Sequence, residues 1–179
     1  MHKPLKRRSV GSWPVWRGDS TPVGDVTSNK VGSGARANGG KLPLDLVPVA
    51  VWRTVWKLKL YSHTNIDRIM IALELWQGGT TESLDQLMVG QDLSGAVAVL
   101  EYGAGKYAAW NWAKGMAWSV PLGCCLRHIQ AILDGEAVDM ESQQLHIDHV
   151  YCNIIMLQYF AANYPAGDDR PIFVSCDAE

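Results

Sequence analysis

This sequence predicts a mostly α fold, a helical bundle, and three observations carry that reading. Apolar residues recur at helical spacing through several long stretches. Helix punctuation brackets them, with serine or threonine in front and glycine behind. Nothing alternates convincingly with period two before Ile172–Val174, a short strand or tail segment. The 179 residues are 47% hydrophobic and 19% charged, ordinary for one globular domain able to bury a sizeable core. No apolar run approaches the ~20 residues that cross a bilayer. No apolar segment follows the basic start, so a membrane or secreted protein is not expected. The four cysteines, Cys124, Cys125, Cys152 and Cys176, contain no C-x-x-C pair and fit a reduced, cytoplasmic protein.

The elements follow in order. Residues 1–40 hold seven of the seventeen glycines and little apolar periodicity, an irregular arm on which Trp13 and Trp16 argue for docking. Through Lys41 the balance is +6, leaving −8 for the remainder. A basic arm on an acidic body suits nucleic acid, a phosphate-bearing substrate or plain solvent. Thr64 resembles an N-cap for a helix carrying Ile66, Ile69, Met70, Leu73 and Trp76, closed by Gly78–Gly79. A short helix over 83–89 and another over 93–107 follow, the latter weakened by Gly95, Gly103 and Gly105. Ser119 caps the next, Pro121 suits its first turn and Gly135 ends it. Ser142 caps a long helix running to Asn163. The short connection between these two predicts an antiparallel helical hairpin. The organisation expected is a basic arm over 1–40, a helical domain over 41–165 with a helical insertion at 51–92, and a tail over 166–179.

The chemistry gathers at one end of that hairpin. His146 and His149, three apart, share a helix face with Asn153. His128 falls near them on the preceding helix, and the connection carries Asp134, Glu136, Asp139 and Glu141. Imidazoles with carboxylates suit a divalent cation, Mg or Mn or another transition metal. The plain alternative is a solvated helix edge and a polar loop. A second cluster, Glu101-Tyr-Gly-Ala-Gly-Lys106-Tyr107 with Asn111–Trp112 and Lys114–Gly115, does not fit G-x-x-x-x-G-K-[ST]. There Lys106 suits phosphate and Tyr107 or Trp112 a base, unless the aromatics are core and the lysine solvated. Cys124 and Cys125 suit packing.

The order of these pieces resembles a known family. Gly40-Lys-Leu-Pro-Leu-Asp-Leu-Val-Pro48, Leu100 to Tyr107 with Asn111-Trp112 and Gly115, Leu126-Arg-His128, Gly135-Glu136, Asp139, Glu141-Ser142, His146, His149 and Asn153 carry the likeness over roughly residues 39–161. They resemble the phage and prophage dATP/dGTP diphosphohydrolases, related to MazG-like all-α nucleotide pyrophosphohydrolases. The resemblance implies hydrolysis of a deoxynucleoside triphosphate, a purine one by the family's description, to monophosphate and pyrophosphate. It also implies a divalent ion, a homo-oligomer and, for a phage protein, the host cytoplasm. The MazG-like pair of motifs, E-x-x-E and E-x-x-D, is not reproduced: His146 and His149 stand where carboxylates would. On this reading His128, Asp139, His146 and His149 hold metal. Glu101, Glu136 and Glu141 are the catalytic carboxylates, and Lys106, Tyr107, Asn111, Trp112 and Asn153 contact substrate. The rivals are a non-catalytic nucleotide- or nucleic-acid-binding protein, and an assembly protein using eight tryptophans as anchors.

Overall fold

The computed structural model describes residues 22–37 and 40–171. The chain is mostly helical. Its α-helices are α1 (Val49–Val55), α2 (Lys57–Leu60), α3 (Thr64–Gln77), α4 (Glu82–Met88), α5 (Ser94–Tyr107), α6 (Ser119–Leu133) and α7 (His146–Asn163). Tight 3-10 turns stand at Leu44–Leu46, Asn111–Lys114 and Pro165–Gly167. Two-residue strands, β1 (Pro22–Val23) and β2 (Arg36–Ala37), pair antiparallel with Val23 opposite Arg36. Trp13, Trp16, Cys176 and the expected Ile172–Val174 segment lie outside the described residues.

The helical stripes read from the sequence are the ones that become buried. In α3, Ile69, Met70, Leu73 and Trp76 have no exposed surface. Gly79, at φ +107°, turns the chain out of the helix while its N–H donates to the Trp76 carbonyl. Leu126 and Ile129 of α6 and Ile154, Leu157 and Phe160 of α7 join the same core. Each such side chain contributes ~1.5–3 kcal/mol of burial. The stretch over 51–92 supplies Ile69, Met70, Leu73, Trp76 and Leu84 to this cluster.

Three expected caps differ. Thr64 and Ser119 are the first helical residues of α3 and α6, and neither helix has a side-chain cap bond at the residue before it. Asp169 instead accepts from the Ser119 N–H at 2.8 Å and from its hydroxyl, satisfying an orphan donor of the first turn. Helix α7 starts at His146, four residues beyond Ser142. The physical reason is local: Gln143 sits at φ +60° and Val138 bridges Leu145, so the connector is a looped ribbon rather than a helix start.

Glycine in α5 has a packing cause. A Cβ on Gly95 would fall 2.2 Å from the Asp148 carboxyl carbon, so α5 lies against the first turn of α7 only because that position is bare. At the other end of the molecule, the Arg170 guanidinium lies 5.0 Å from the Trp76 ring and 4.9 Å from that of Trp118. Its Nη1 donates to the Trp76 carbonyl.

Candidate functional site

The α6–α7 pair builds the site. His128 of α6 meets His146 and His149 in the first turn of α7. Earlier in α6, Cys124 shares the neighbourhood of Arg36 with Cys152 further along α7, so the two helices run antiparallel. His128 Nδ1 and His146 Nδ1 are 2.8 Å apart, a hydrogen bond in which one ring donates and the other accepts. The His128 ring stacks on His149 with centroids 4.3 Å apart and planes 15° from parallel.

The connector completes this cluster. The Asp139 carboxylate accepts from the Ser142 N–H at 2.9 Å and from the Ser142 hydroxyl at 2.8 Å. The same hydroxyl lies 2.7 Å from His149 Nε2, and Asp139 Oδ2 stands 3.7 Å from that nitrogen. Ser142 is therefore a brace between acid and imidazole. Asn153 braces from below: it is fully buried and its Nδ2 donates to the His149 carbonyl at 2.7 Å. Its Oδ1 and the His146 Nε2 are buried without hydrogen-bond partners.

Burial sets the charge states. Desolvation, with His149 and His146 close by, pushes the His128 imidazolium pKa down to about 2, so the ring is neutral. Burial lowers His149 as well, against the pull of Asp139. Burial works to raise Asp139, but the two Ser142 bonds and the facing His149 and His128 hold it below the usual carboxylate range. A neutral His128 beside an ionised Asp139 is what a cation requires of its ligands. One ligand atom each from His128, Asp139 and His146 lies within 4.8 Å of the others, so these three residues fit a divalent ion.

This cluster opens on a cleft of about 130 Å³. His128, Asp139 and His149 line one wall, and Lys106, Tyr107, Asn111 and Trp112 line others. Lys106 pairs with Glu141 at 2.5 Å, and the Tyr102 hydroxyl donates to the same carboxylate at 3.3 Å. The Lys106 bond holds Glu141 below its usual range, and Glu141 in turn raises Lys106. Between α5 and the following turn, Ala108 at φ +80° and Trp110 at φ +60° hold left-handed backbone, strained for residues with a Cβ.

The sequence-derived residues sort themselves by position. His128, Asp139, His149, Glu141, Lys106, Tyr107, Asn111 and Trp112 line one cleft, with His146 bonded to His128 behind them. Glu136 approaches only His146, with its Oε2 3.7 Å from Nε2. Glu101 is exposed and faces a shallow depression with Ser142 and Gln144 instead. Asn111 is buried and its Nδ2 donates to the Ala35 carbonyl, so one of its bonds is structural, while its Oδ1 is buried without a partner. Trp112 packs edge-on against Tyr159. Sequence reasoning missed Ser142 as a brace, Trp110 at the cleft and 72% exposed, and Arg36 and Lys41 in its lining. The left-handed backbone at Trp110 left no mark in the sequence.

The helical body thus sets a histidine–carboxylate cluster that could hold a metal ion beside a cleft lined by Arg36, Lys41 and Lys106. The chain matches the family described as "dATP/dGTP diphosphohydrolase, N-terminal" over residues 77–170, more than half its length, and it belongs to that family. That membership brings nucleoside triphosphate hydrolysis as the general class of chemistry. Neither a curated protein nor a solved structure matches it. Among the described residues no helix is long and apolar enough to cross a membrane.

Proposed function

We propose that this protein hydrolyses purine deoxynucleoside triphosphates to the monophosphate and pyrophosphate, with a divalent ion held by His128, Asp139 and His146. The observation that carries the reading is the mutual approach of those three ligand atoms within 4.8 Å, with His128 and Asp139 in the lining of a cleft that Arg36, Lys41 and Lys106 also line. A bound ion supplies a water of lowered pKa and neutralises phosphate charge. The chain's own groups do the rest. His149, stacked on His128 and braced by Ser142, keeps the donor set oriented. Lys106 stabilises charge that develops on phosphate oxygens, and Glu141 fixes the ammonium in place. Glu141 in the cleft lining and Glu136 beside His146 are candidates to serve as base; Glu101, outside the cleft lining, is the weaker choice. Tyr107, Trp112 and Trp110 offer ring faces to a base. A homo-oligomer, a MazG-like ancestry and a phage-infected host cytoplasm belong to the same reading, as does nucleic acid contact through the basic arm.

The test is product analysis. The protein is incubated with each dNTP and NTP, separately with Mg, Mn and Co, and with a chelator. The expected result is monophosphate plus pyrophosphate from dATP and dGTP, abolished by chelator. In the double variant His128→Ala/His146→Ala turnover falls at least ~100-fold with helical circular dichroism retained. Release of intact triphosphate, or full activity in the double variant, refutes the reading.

A further inference from the structure

One cation of the cleft, Arg36, is paired with no carboxylate among the described residues. Arg36 follows a strap over residues 24–35 that is clipped to the turn after α5. The Gly32 N–H donates to the Lys114 carbonyl, the Gly34 N–H to the Gly115 carbonyl, and Asn111 Nδ2 to the Ala35 carbonyl. Gly34 must be bare there, since a Cβ would fall 2.7 Å from the Gly115 oxygen. The strap delivers Arg36 into the cleft lining, where its Nη1 touches the sulfur of buried Met156, beside Cys124 and Cys152.

Arg53 pairs with Asp67 and Glu74, and Arg170 with Asp168, while Arg127 donates to the Leu42 carbonyl and the Cys124 sulfur. Among the described residues no carboxylate pairs with Arg36. The two acids of the cleft are engaged, Asp139 by Ser142 and His149 and Glu141 by Lys106. Arg36 is part-buried, its Nη1 meets a thioether and its charge helps to lower the pKa of the Cys124 thiol beside it, and its planar fork of donors fits the oxygens of a phosphate chain. A neutral base could accept hydrogen bonds from it but could not balance its charge.

We infer that Arg36, set by the strap at the inner wall of the cleft, binds the polyphosphate chain of the ligand. This rests on the reading of the cleft as a nucleotide site and names which part of the nucleotide lies against the strap. Lys41 and Lys106 line the same cleft and extend the positive surface around that chain.

The test uses the full chain with Mg present, titrated by calorimetry with inorganic tripolyphosphate and, separately, with deoxyadenosine. Arg36→Met and Arg36→Gln are compared with wild type after circular dichroism, so that the variant keeping its fold is the one read. The expected result is tripolyphosphate affinity weakened ~10–100-fold, as for loss of a charge-assisted pair, with deoxyadenosine affinity unchanged. Unchanged tripolyphosphate affinity, loss of deoxyadenosine affinity alone, or no tripolyphosphate binding by wild type overturns the inference. Wild-type protein that binds tripolyphosphate through Arg36 yet hydrolyses no triphosphate would sink the hydrolase reading and leave the anion site standing.

Discussion

At the scale of single residues, Ser142 shows how much one hydroxyl organises. It touches both the acid and an imidazole of the site, and nothing else in the connector does both. Ser142→Ala therefore frees Asp139 and His149 to reorient, and the affinity for Mn or Co, read by titration, is expected to fall ~10-fold with the melting temperature little changed. The neutral histidines make a second prediction. An imidazole that is neutral when folded and protonated when unfolded withdraws stability as pH falls through its unfolded value near ~6.5. His128 is lowered to about 2, so metal-free protein in chelator loses ~2 kcal/mol on its account between pH 7 and pH 5, and His149, lowered too, adds in the same direction. Asp139 and Glu141, lowered in the other chemical sense, withdraw theirs only when acid reaches the carboxylate range. Melting temperatures in chelator should drop over that interval, and less steeply in His128→Phe. A flat profile would show that these rings are not held neutral. The convergence of the three histidines was legible in the sequence, because a spacing of three and a short connector dictate it. Arg36 was not: it lies 120 residues from the methionine it touches, and no local pattern announces so distant a contact.

At the scale of elements, periodicity located the helices and the caps misled. The apolar stripes of α3, α6 and α7 have a cause, core burial, that the pattern records directly. A serine before a stripe has several uses, and here Ser142 serves the site and Ser119 meets Asp169. The turn at Gly115 is where the elements are most exacting. Its φ is +89°, and a Cβ would stand 2.5 Å from the Tyr164 ring. Gly115→Ala carries both penalties, and a loss of ~2–3 kcal/mol is expected in urea unfolding. Because the strap is clipped to the same residue, tripolyphosphate binding should weaken in that variant too. Unaltered stability would mean that Tyr164 moves aside without loss.

At the scale of the whole molecule, the core is one cluster that runs from α1 to α7, and the chain beyond α7 is fastened to it by Arg170 between two indoles. Arg170→Ala removes both ring contacts and the bond to the Trp76 carbonyl, and should lower global stability by ~1–3 kcal/mol in thermal or urea melts. A variant melting like wild type would reduce the clamp to a surface ornament. The mostly helical class was readable because helices of this kind bury one stripe each. The way the stripes share a single interior was not, since no periodicity states which stripe faces which.

That shared interior bears on modularity. The family match begins at residue 77, which is the last residue of α3. A fragment cut there would discard Ile69, Met70, Leu73 and Trp76, and with them the indole that Trp118 and Arg170 rest against. It would also leave behind the strap and its arginine. The matched segment is therefore not a unit that could be transplanted alone: in this chain its core depends on the preceding helices, and a fragment would have to carry them with it.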